Sequence, residues 1–282
     1  MKGKLIKSPM NYVGGKYKLL PQILPLFPSD INMFVDLFCG GFNVGVNVDA
    51  KKIIGNDICS EVIKVYQGIQ KEGTINSLRL VKDQIDKYDL SKTNEEGYKE
   101  IRNHYNTTDK SWYIFYSLLA HSFNNQIRFN KQGDYNMPFG KNRSSFNATL
   151  EKHFIRFSDA IECKDIRFTN KSFDELDVNK LSSNDFVYMD PPYLIACASY
   201  NEQDGWNEDK EYKLLNLCDK LHAAGVRFAL SNVLEHKGLS NDILKNWSKK
   251  YNVNYLNYNY NNCNYQDNNK DHVTIEVLIT NY

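Results

Sequence analysis

Apolar positions in this 282-residue chain follow two patterns that alternate along it. Short strand-like runs, apolar throughout at 186–189 and mixed at 52–55 and 166–169, occupy 33–38, 52–55, 166–169, 186–189, 226–231 and 273–280. Such runs predict strands covered on both faces, as in a mainly parallel sheet. Elsewhere apolar residues recur at helical spacing, in 60–70, 75–88, 95–105, 111–125 and 208–224. Ser60 stands where an N-cap is expected. Residues 15–27 predict a short helix interrupted by Pro21 and Pro25. Residues 128–141 place Gly133 between alternating polar and aromatic positions, which predicts a β-hairpin.

Strands and helices alternate at both ends of the chain, and helices dominate the middle. The expected organisation is an α/β domain formed by 1–65 and 160–282, with a mainly helical insert, 66–159, that bears the hairpin. No internal repeat points to a solenoid.

Composition narrows this picture only locally. With 41% hydrophobic residues the chain can bury a sizeable core. Its 35 basic and 34 acidic residues nearly cancel, so net charge selects no partner. Local bias says more. The first 18 residues carry Lys2, Lys4, Lys7, Lys16 and Lys18 and no acid, and 128–143 carry Arg128, Lys131, Lys141 and Arg143 against Asp134 alone. Each stretch is either a phosphate-contacting patch or a solvated basic face. Cys39, Cys59, Cys163, Cys197, Cys218 and Cys263 form no C-x-x-C pair and read as reduced thiols of a cytoplasmic protein. His153, His222, His236 and His272 are scattered, so no metal is expected. No apolar run is long enough to span a membrane. The Asn- and Tyr-rich stretch 251–265 reads as composition bias or a surface loop.

The chemistry begins at Asp190-Pro191-Pro192-Tyr193, which ends the run 186–189. A Pro pair terminates a strand because it lacks N–H donors, and that alone explains the motif as well as a site does. The alternative is a ligand site at the carboxyl end of a strand. A carboxylate and a neighbouring carbonyl on a rigid turn are two acceptors, and an exocyclic amine has two donors. Tyr193 is an aromatic platform for the base carrying such an amine. The polar stretch 198–206 that follows is either a loop over that base or an ordinary surface loop.

The first strand, with Asp36 and Phe38, runs into Cys39-Gly40-Gly41, where a missing Cβ lets the backbone approach a ligand closely. This is neither G-x-G-x-x-G nor a Walker A loop, which argues against dinucleotides and triphosphates. Asp57 follows the second strand. It sits where a carboxylate accepts from ribose hydroxyls, or where an acid favours a helix N-terminus. A nucleoside cofactor without phosphate-binding machinery suggests S-adenosylmethionine.

Six stretches in order resemble the Dam-like DNA adenine methyltransferases: N-Y-V-G-G-K-Y-K-L-L at 11–20, F-V-D-L-F-C-G-G at 34–41, G-N-D-I at 55–58, the region 123–140, D-P-P-Y at 190–193 and F-A-L-S-N-V at 228–233. The resemblance implies a Rossmann-like methyltransferase sheet, double-stranded DNA as partner, S-adenosylmethionine as cofactor and action as a monomer. It implies cofactor-binding roles for Tyr12, Lys16, Asp36, Phe38, Gly40, Asp57 and Asp190. It implies catalytic roles for Asp190, Pro191 and Tyr193, and DNA contacts for Asn11, Asn124, Arg128 and Asn130. Arg128 would grip guanine at two acceptors or contact a phosphate. The Dam enzymes carry a basic residue at the position of Asn11, so a GATC target is not implied. D-P-P-Y-like turns also serve enzymes acting on cytosine, RNA or protein glutamine amides, and a DNA binder without activity would keep the same frame.

Overall fold

Phe186–Met189 is buried at every position, as a continuous apolar run requires of a strand covered on both sides. The computed structural model describes residues 4–195, 205–257 and 274–282. In chain order the strands are β1 (Met33–Asp36), β2 (Lys52–Asn56), β3 (Ile166–Thr169), β4 (Phe186–Met189), β5 (Arg227–His236), β6 (Leu239–Ser240), β7 (Asn252–Leu256) and β8 (Ile275–Thr280). The α-helices are α1 (Leu20–Ile23), α2 (Ser60–Lys87), α3 (Glu95–Thr107), α4 (Trp112–His121), α5 (Ala148–Cys163), α6 (Glu208–Ala223) and α7 (Asp242–Ser248). The chain forms two compact units. One comprises Met1–Gly15, Gly40–Asn47 and Asp57–Asn170; the other comprises Lys16–Cys39, Val48–Asn56 and Lys171–Tyr282.

The second unit is built on a sheet in the order β2-β1-β4-β5-β8-β7, with β6 paired to β5. Strands β2, β1, β4 and β5 are parallel. Strand β8 runs antiparallel to both β5 and β7. Side chains alternate across the sheet as strand geometry demands. Val35, Val187 and Met189 pack in one core with Leu214, Cys218 and Leu221 of α6 and with Phe228, Val277 and Ile279. On the alternate positions Phe34 and Phe186 meet Phe27, with ring centroids 6.0 and 4.7 Å apart. Phe27 follows α1 and two flanking 3₁₀ turns, Lys16–Leu19 and Leu24–Leu26, which break where Pro21 and Pro25 predict.

The strand order reverses between β1, whose other neighbour is β2, and β4, whose other neighbour is β5. Ligands of open α/β sheets bind outside the carboxyl ends of strands at such a point. Asp36 ends β1, and Asp190 directly follows β4.

The first unit is mainly helical, with α2 to α5 and strand β3. The helices expected at 60–70 and 75–88 form one run, α2, kinked at Gly73 where φ is 73°. Cys59, not Ser60, is the N-cap, and no side chain caps it. Asp57 Oδ1 instead accepts the Cys59 N–H at 2.9 Å. Helix α4 is buried from Ile114 to His121, so most of the aromatic run 112–116 is core. His121 is core as well: its Nδ1 lies 2.8 Å from the Ser117 carbonyl. Gly68 of α2 faces Trp112 of α4, and a Cβ there would meet the indole at 2.2 Å. Gly68→Ala should therefore lose about 1–3 kcal/mol through overpacking. The measurement is urea unfolding, and adding Trp112→Leu should restore most of the loss. An unchanged midpoint in the single variant would show that the two helices have room to adjust.

The hairpin at 128–141 forms its turn without a continuous ladder. Asn130 N–H donates to the Asp134 carbonyl at 2.9 Å, and Asn136 N–H to the Arg128 carbonyl at 3.0 Å. The cross-strand pairing of this segment is an isolated bridge, Phe129 to Tyr135. Gly133 takes the left-handed φ of 82° at the turn.

Helices α5 and α7 and strands β6 and β7 escaped the periodicity reading. Helix α5 buries Phe154, Phe157 and Ile161 and is capped by the Asn147 side chain, which accepts from the N–H groups of Thr149 and Leu150. Strand β7 opens the stretch read as composition bias or a surface loop: Asn252–Leu256 pairs with β8, although two of its five positions are asparagine. Residues 258–265 of that stretch, and 198–204 of the polar stretch after the D-P-P-Y turn, lie outside the described residues. Cys39, Cys59, Cys163 and Cys218 are free thiols; Cys197 and Cys263 lie outside the described residues. Among those residues no helix is long and apolar enough to cross a membrane.

Candidate active site

At the carboxyl end of β4 in the second unit, the chain turns through Asp190, Pro191, Pro192 and Tyr193. Lys16 reaches this turn from the 3₁₀ segment Lys16–Leu19. Its Nζ lies 2.9 Å from Asp190 Oδ1 and 3.6 Å from Glu276 Oε1. Lys16 and Glu276 are 5% and 2% exposed, and Asp190 17%, so these charges meet in a site with little water. The Tyr193 hydroxyl donates to Asp190 Oδ1 at 3.0 Å and lies 3.3 Å from Glu276 Oε1. Lys16 Nζ also stands 5.0 Å from the centroid of the Tyr193 ring, within cation–π range.

Burial alone would depress the Lys16 ammonium. The carboxylates of Asp190 and Glu276 outweigh it and hold Lys16 above the usual lysine range. Burial pushes the Asp190 carboxyl up, opposed by the Lys16 charge. Asp36 is buried at the end of β1, in register with Tyr188 of β4 and Gly55 of β2. Phe38 stacks on Phe173 with centroids 5.4 Å apart and meets Trp206 edge-on at 5.9 Å.

The first unit holds a second cluster. Asp57 is buried, and its Oδ2 accepts the Gly40 N–H at 2.7 Å. The Gly40 carbonyl in turn accepts from the Tyr66 hydroxyl at 2.6 Å. Gly40 has a φ of 42°, and a Cβ there would stand 2.8 Å from the Tyr12 ring. The glycine is thus required first by Tyr12, which lies against the turn. Burial raises the Asp57 carboxyl against its backbone donors, and no lysine or arginine pairs with it among the described residues. A buried carboxylate held by N–H groups, without a cation, suits neutral hydroxyl donors such as those of a ribose. This donor set fits the nucleoside half of S-adenosylmethionine.

A third group surrounds the hairpin, also in the first unit. Asn11 donates through Nδ2 to the Asn124 carbonyl at 2.9 Å, so the structure brings together two residues 113 positions apart. Asn124 and Asn125 both take left-handed backbone angles, a conformation that asparagine tolerates better than most residues. Arg128 is turned inward on the hairpin: Nε donates to Asn136 Oδ1 at 2.8 Å and Nη2 to the Asn136 carbonyl at 2.7 Å. Asn130 is committed to the turn, its Oδ1 accepting from the N–H groups of Gln132 and Asp134. Arg143 carries no motif of its own, yet it donates to Asn124 Oδ1 at 3.2 Å and lies 5.1 Å over the exposed Phe123 ring. It lines a cleft of about 550 Å³ together with Lys7, Asn125, Ser144, Asn147 and His153. Partial burial, then the charges of Lys7, Arg156 and Lys152, hold the His153 imidazole below its usual range, which marks this surface as electropositive.

Glu276 and Arg143 are the residues that sequence reasoning missed. The signal for Arg143 was its place in the basic run 128–143. Glu276 opens the stretch E-V-L-I-T-N-Y at 276–282, which is similar to the same family, but it was given no role because one acid in an apolar strand looks like an outward-facing position. No group of histidines, cysteines and acids suited to a metal occurs among the described residues.

A mostly parallel sheet with an antiparallel β8–β7 edge and an acid-proline turn after β4 is a Rossmann-like methyltransferase architecture. Residues 12–262 match the model of the D12 class N6 adenine-specific DNA methyltransferases, and the chain belongs to that family. It is 48% identical to the type II methyltransferase M.FokI of Planomicrobium okeanokoites over 98% of its length, and 48% identical to the modification methylase StsI of Streptococcus sanguinis over 99%. It spans 43% of the length of each of those two proteins. The type II methyltransferase M1.LlaDCHI of Lactococcus lactis subsp. cremoris is 25% identical across 100% of this chain and 98% of its own length.

Proposed function

We propose that this chain transfers a methyl group from S-adenosylmethionine to the exocyclic amine of adenine in double-stranded DNA. The observation that carries the reading is the D-P-P-Y turn at the end of β4, with Asp190 beside a buried lysine. When bound, S-adenosylmethionine supplies an electrophilic methyl group on a positively charged sulfur. Tyr12, Lys16, Asp36, Phe38, Gly40, Asp57 and Asp190 are the residues assigned to holding it.

The adenine amine is a weak nucleophile because its lone pair is delocalised into the ring. Asp190 and the Pro191 carbonyl, as two acceptors, bind its two N–H donors and favour a nitrogen whose lone pair is available. Positive charge grows on that nitrogen as its bond to carbon forms, and the Asp190 carboxylate stabilises it. The nitrogen then gives up one proton, through Asp190, to solvent. Tyr193 borders the position of the base. A base paired inside a duplex cannot reach this turn, so the target nucleotide must be flipped out.

We assign residues 66–159 to target recognition and 1–65 with 160–282 to catalysis. Asn11, Asn124, Arg128 and Asn130 belong to the DNA-facing set in this assignment. The bonds within the hairpin make Arg128 and Asn130 shape the loop, while Arg143 and the electropositive cleft suit the phosphate backbone.

The test is incubation with methyl-labelled S-adenosylmethionine and unmethylated duplex DNA, followed by hydrolysis to nucleosides. Label is expected in N6-methyladenosine-type deoxynucleoside. Label in methylcytosine, or on RNA or protein with none on DNA, would overturn the assignment.

A further inference from the structure

Glu276 received no role from the resemblance, yet it shares both hydrogen-bond donors of Asp190. Lys16 Nζ stands 2.9 Å from Asp190 Oδ1 and 3.6 Å from Glu276 Oε1. The Tyr193 hydroxyl stands 3.0 Å from the first oxygen and 3.3 Å from the second. A hydroxyl has one proton, so Tyr193 serves one carboxylate at a time. The Ser231 hydroxyl, 3.5 Å from that of Tyr193, borders the same bridge. We propose that Glu276 is a positioning residue for Asp190: by sharing Lys16 and Tyr193, it keeps the Asp190 carboxylate a strong acceptor for the substrate amine. This deepens the methyltransferase reading and rests on it.

The argument is electrostatic. A buried ammonium facing one carboxylate would spend its whole field there, and that carboxylate would accept weakly from a neutral N–H. A second carboxylate divides the field. It also repels negative charge on Asp190, which raises the basicity of Asp190. The charged and titratable groups that face Asp190 are Lys16 from the 3₁₀ turn, Tyr188 of β4, Tyr193 of the turn and Glu276 of β8. Asp36 of β1 acts electrostatically on Tyr188. Burial pushes the Tyr188 phenol well above its ordinary value, so it stays neutral at working pH.

Placement supports the role. Glu276 lies on β8, in register with Val233 of β5 and Leu256 of β7, so both neighbouring strands fix its backbone. A carboxylate 2% exposed is costly to bury unless its partners compensate. A strand that needed only packing there would carry an apolar residue.

The experiment uses the full chain with ¹³C-labelled aspartate carboxyls, and Asp190→Asn assigns the Asp190 signal. In Glu276→Gln, which keeps shape and removes charge, the Asp190 titration midpoint should fall by about one pH unit, the scale of a lost like-charge neighbour. The acid limb of kcat should move to lower pH with it. At neutral pH kcat should fall roughly tenfold, the scale of weakening one charge-assisted contact, while KM for DNA stays nearly constant. An unmoved Asp190 midpoint overturns the proposal, whatever happens to kcat, because a purely structural role would lower activity without retuning Asp190. Glu276→Asp draws the charge back by one methylene and serves if the glutamine variant does not fold. It should show a smaller shift of the same sign, and a wild-type midpoint with wild-type kcat overturns the proposal. The titration needs no methyl transfer. A shifted midpoint in a chain that methylates no DNA would support the Glu276–Asp190 coupling and reject the assigned reaction.

Discussion

Asp190→Ala should reduce methyl transfer to DNA by roughly 10²- to 10⁴-fold, the range for removing a group that handles charge or a proton in the transition state. The fold should survive, because Lys16 keeps a carboxylate partner in Glu276 at 3.6 Å. Removing Asp190 therefore does not strand a buried ammonium. Affinity for DNA should change little, since the residues assigned to DNA lie elsewhere. Single-turnover transfer of labelled methyl, with circular dichroism as the folding control, makes the measurement. Asp190→Asn should fall nearly as far, because it keeps the shape and loses the charge. A folded Asp190→Ala protein with turnover within a few-fold of the parent would remove Asp190 from the chemistry.

Lys16→Met should have the largest effect on stability. It leaves Asp190 and Glu276 buried beside each other without the ammonium between them. Breaking a buried pair in this way costs about 3–5 kcal/mol. The loss must depend on pH, and its sign follows from proton uptake. Without Lys16, burial and the Glu276 charge hold the Asp190 carboxyl above its unfolded value. The native variant then binds more protons than the unfolded chain, so its stability falls as pH rises through the carboxyl range. The deficit should be largest near pH 8 and shrink toward pH 5. In the parent, Lys16 is held above the usual lysine range. Its contribution is fully present below the unfolded lysine value and is lost only as pH rises through the higher folded one. It therefore adds no slope at neutral pH. Urea unfolding of both proteins at the two pH values tests this. An equal deficit at both, or a deficit below about 1 kcal/mol, the median scale of an exposed pair, would mean that water reaches the site and screens the pair.

The two variants separate roles that one ion cluster combines. Asp190 is expected to matter mostly for rate, and Lys16 for rate and stability together. The reason lies in the count of partners: Asp190 can leave Lys16 one partner, whereas Lys16 leaves two acids none of its charge.

Much of the frame was legible before any coordinates. Apolar runs at 33–38 and 186–189 had to be covered strands, and the prolines after 189 had to end one of them, although β1 itself ends at Asp36. β5 proved longer than its apolar run, continuing to His236 beside β8. β7 was hidden because it is an edge strand with polar alternate positions, so pairing with β8, not apolar burial, defines it. The N-cap of α2 was misplaced by one residue: the Ser60 hydroxyl donates to the Glu61 carboxylate at 2.9 Å, and Cys59 takes the extended backbone angles of the cap.

The chain's own order of residues determined where strands end, where glycine and proline force turns, and that an acid-proline turn follows a buried strand. These are local properties, set by backbone sterics and by the spacing of apolar side chains. Tertiary structure alone decided that Lys16, Asp190 and Glu276 converge, although they stand far apart in the sequence. It also decided that Tyr12 occupies the space a Gly40 Cβ would need, and that Asn11 braces Asn124. The physical reason is that burial turns a charge from an exposed, screened group into one that must be partnered. Which groups are buried together depends on strand order, and strand order is not written in any short stretch of the chain.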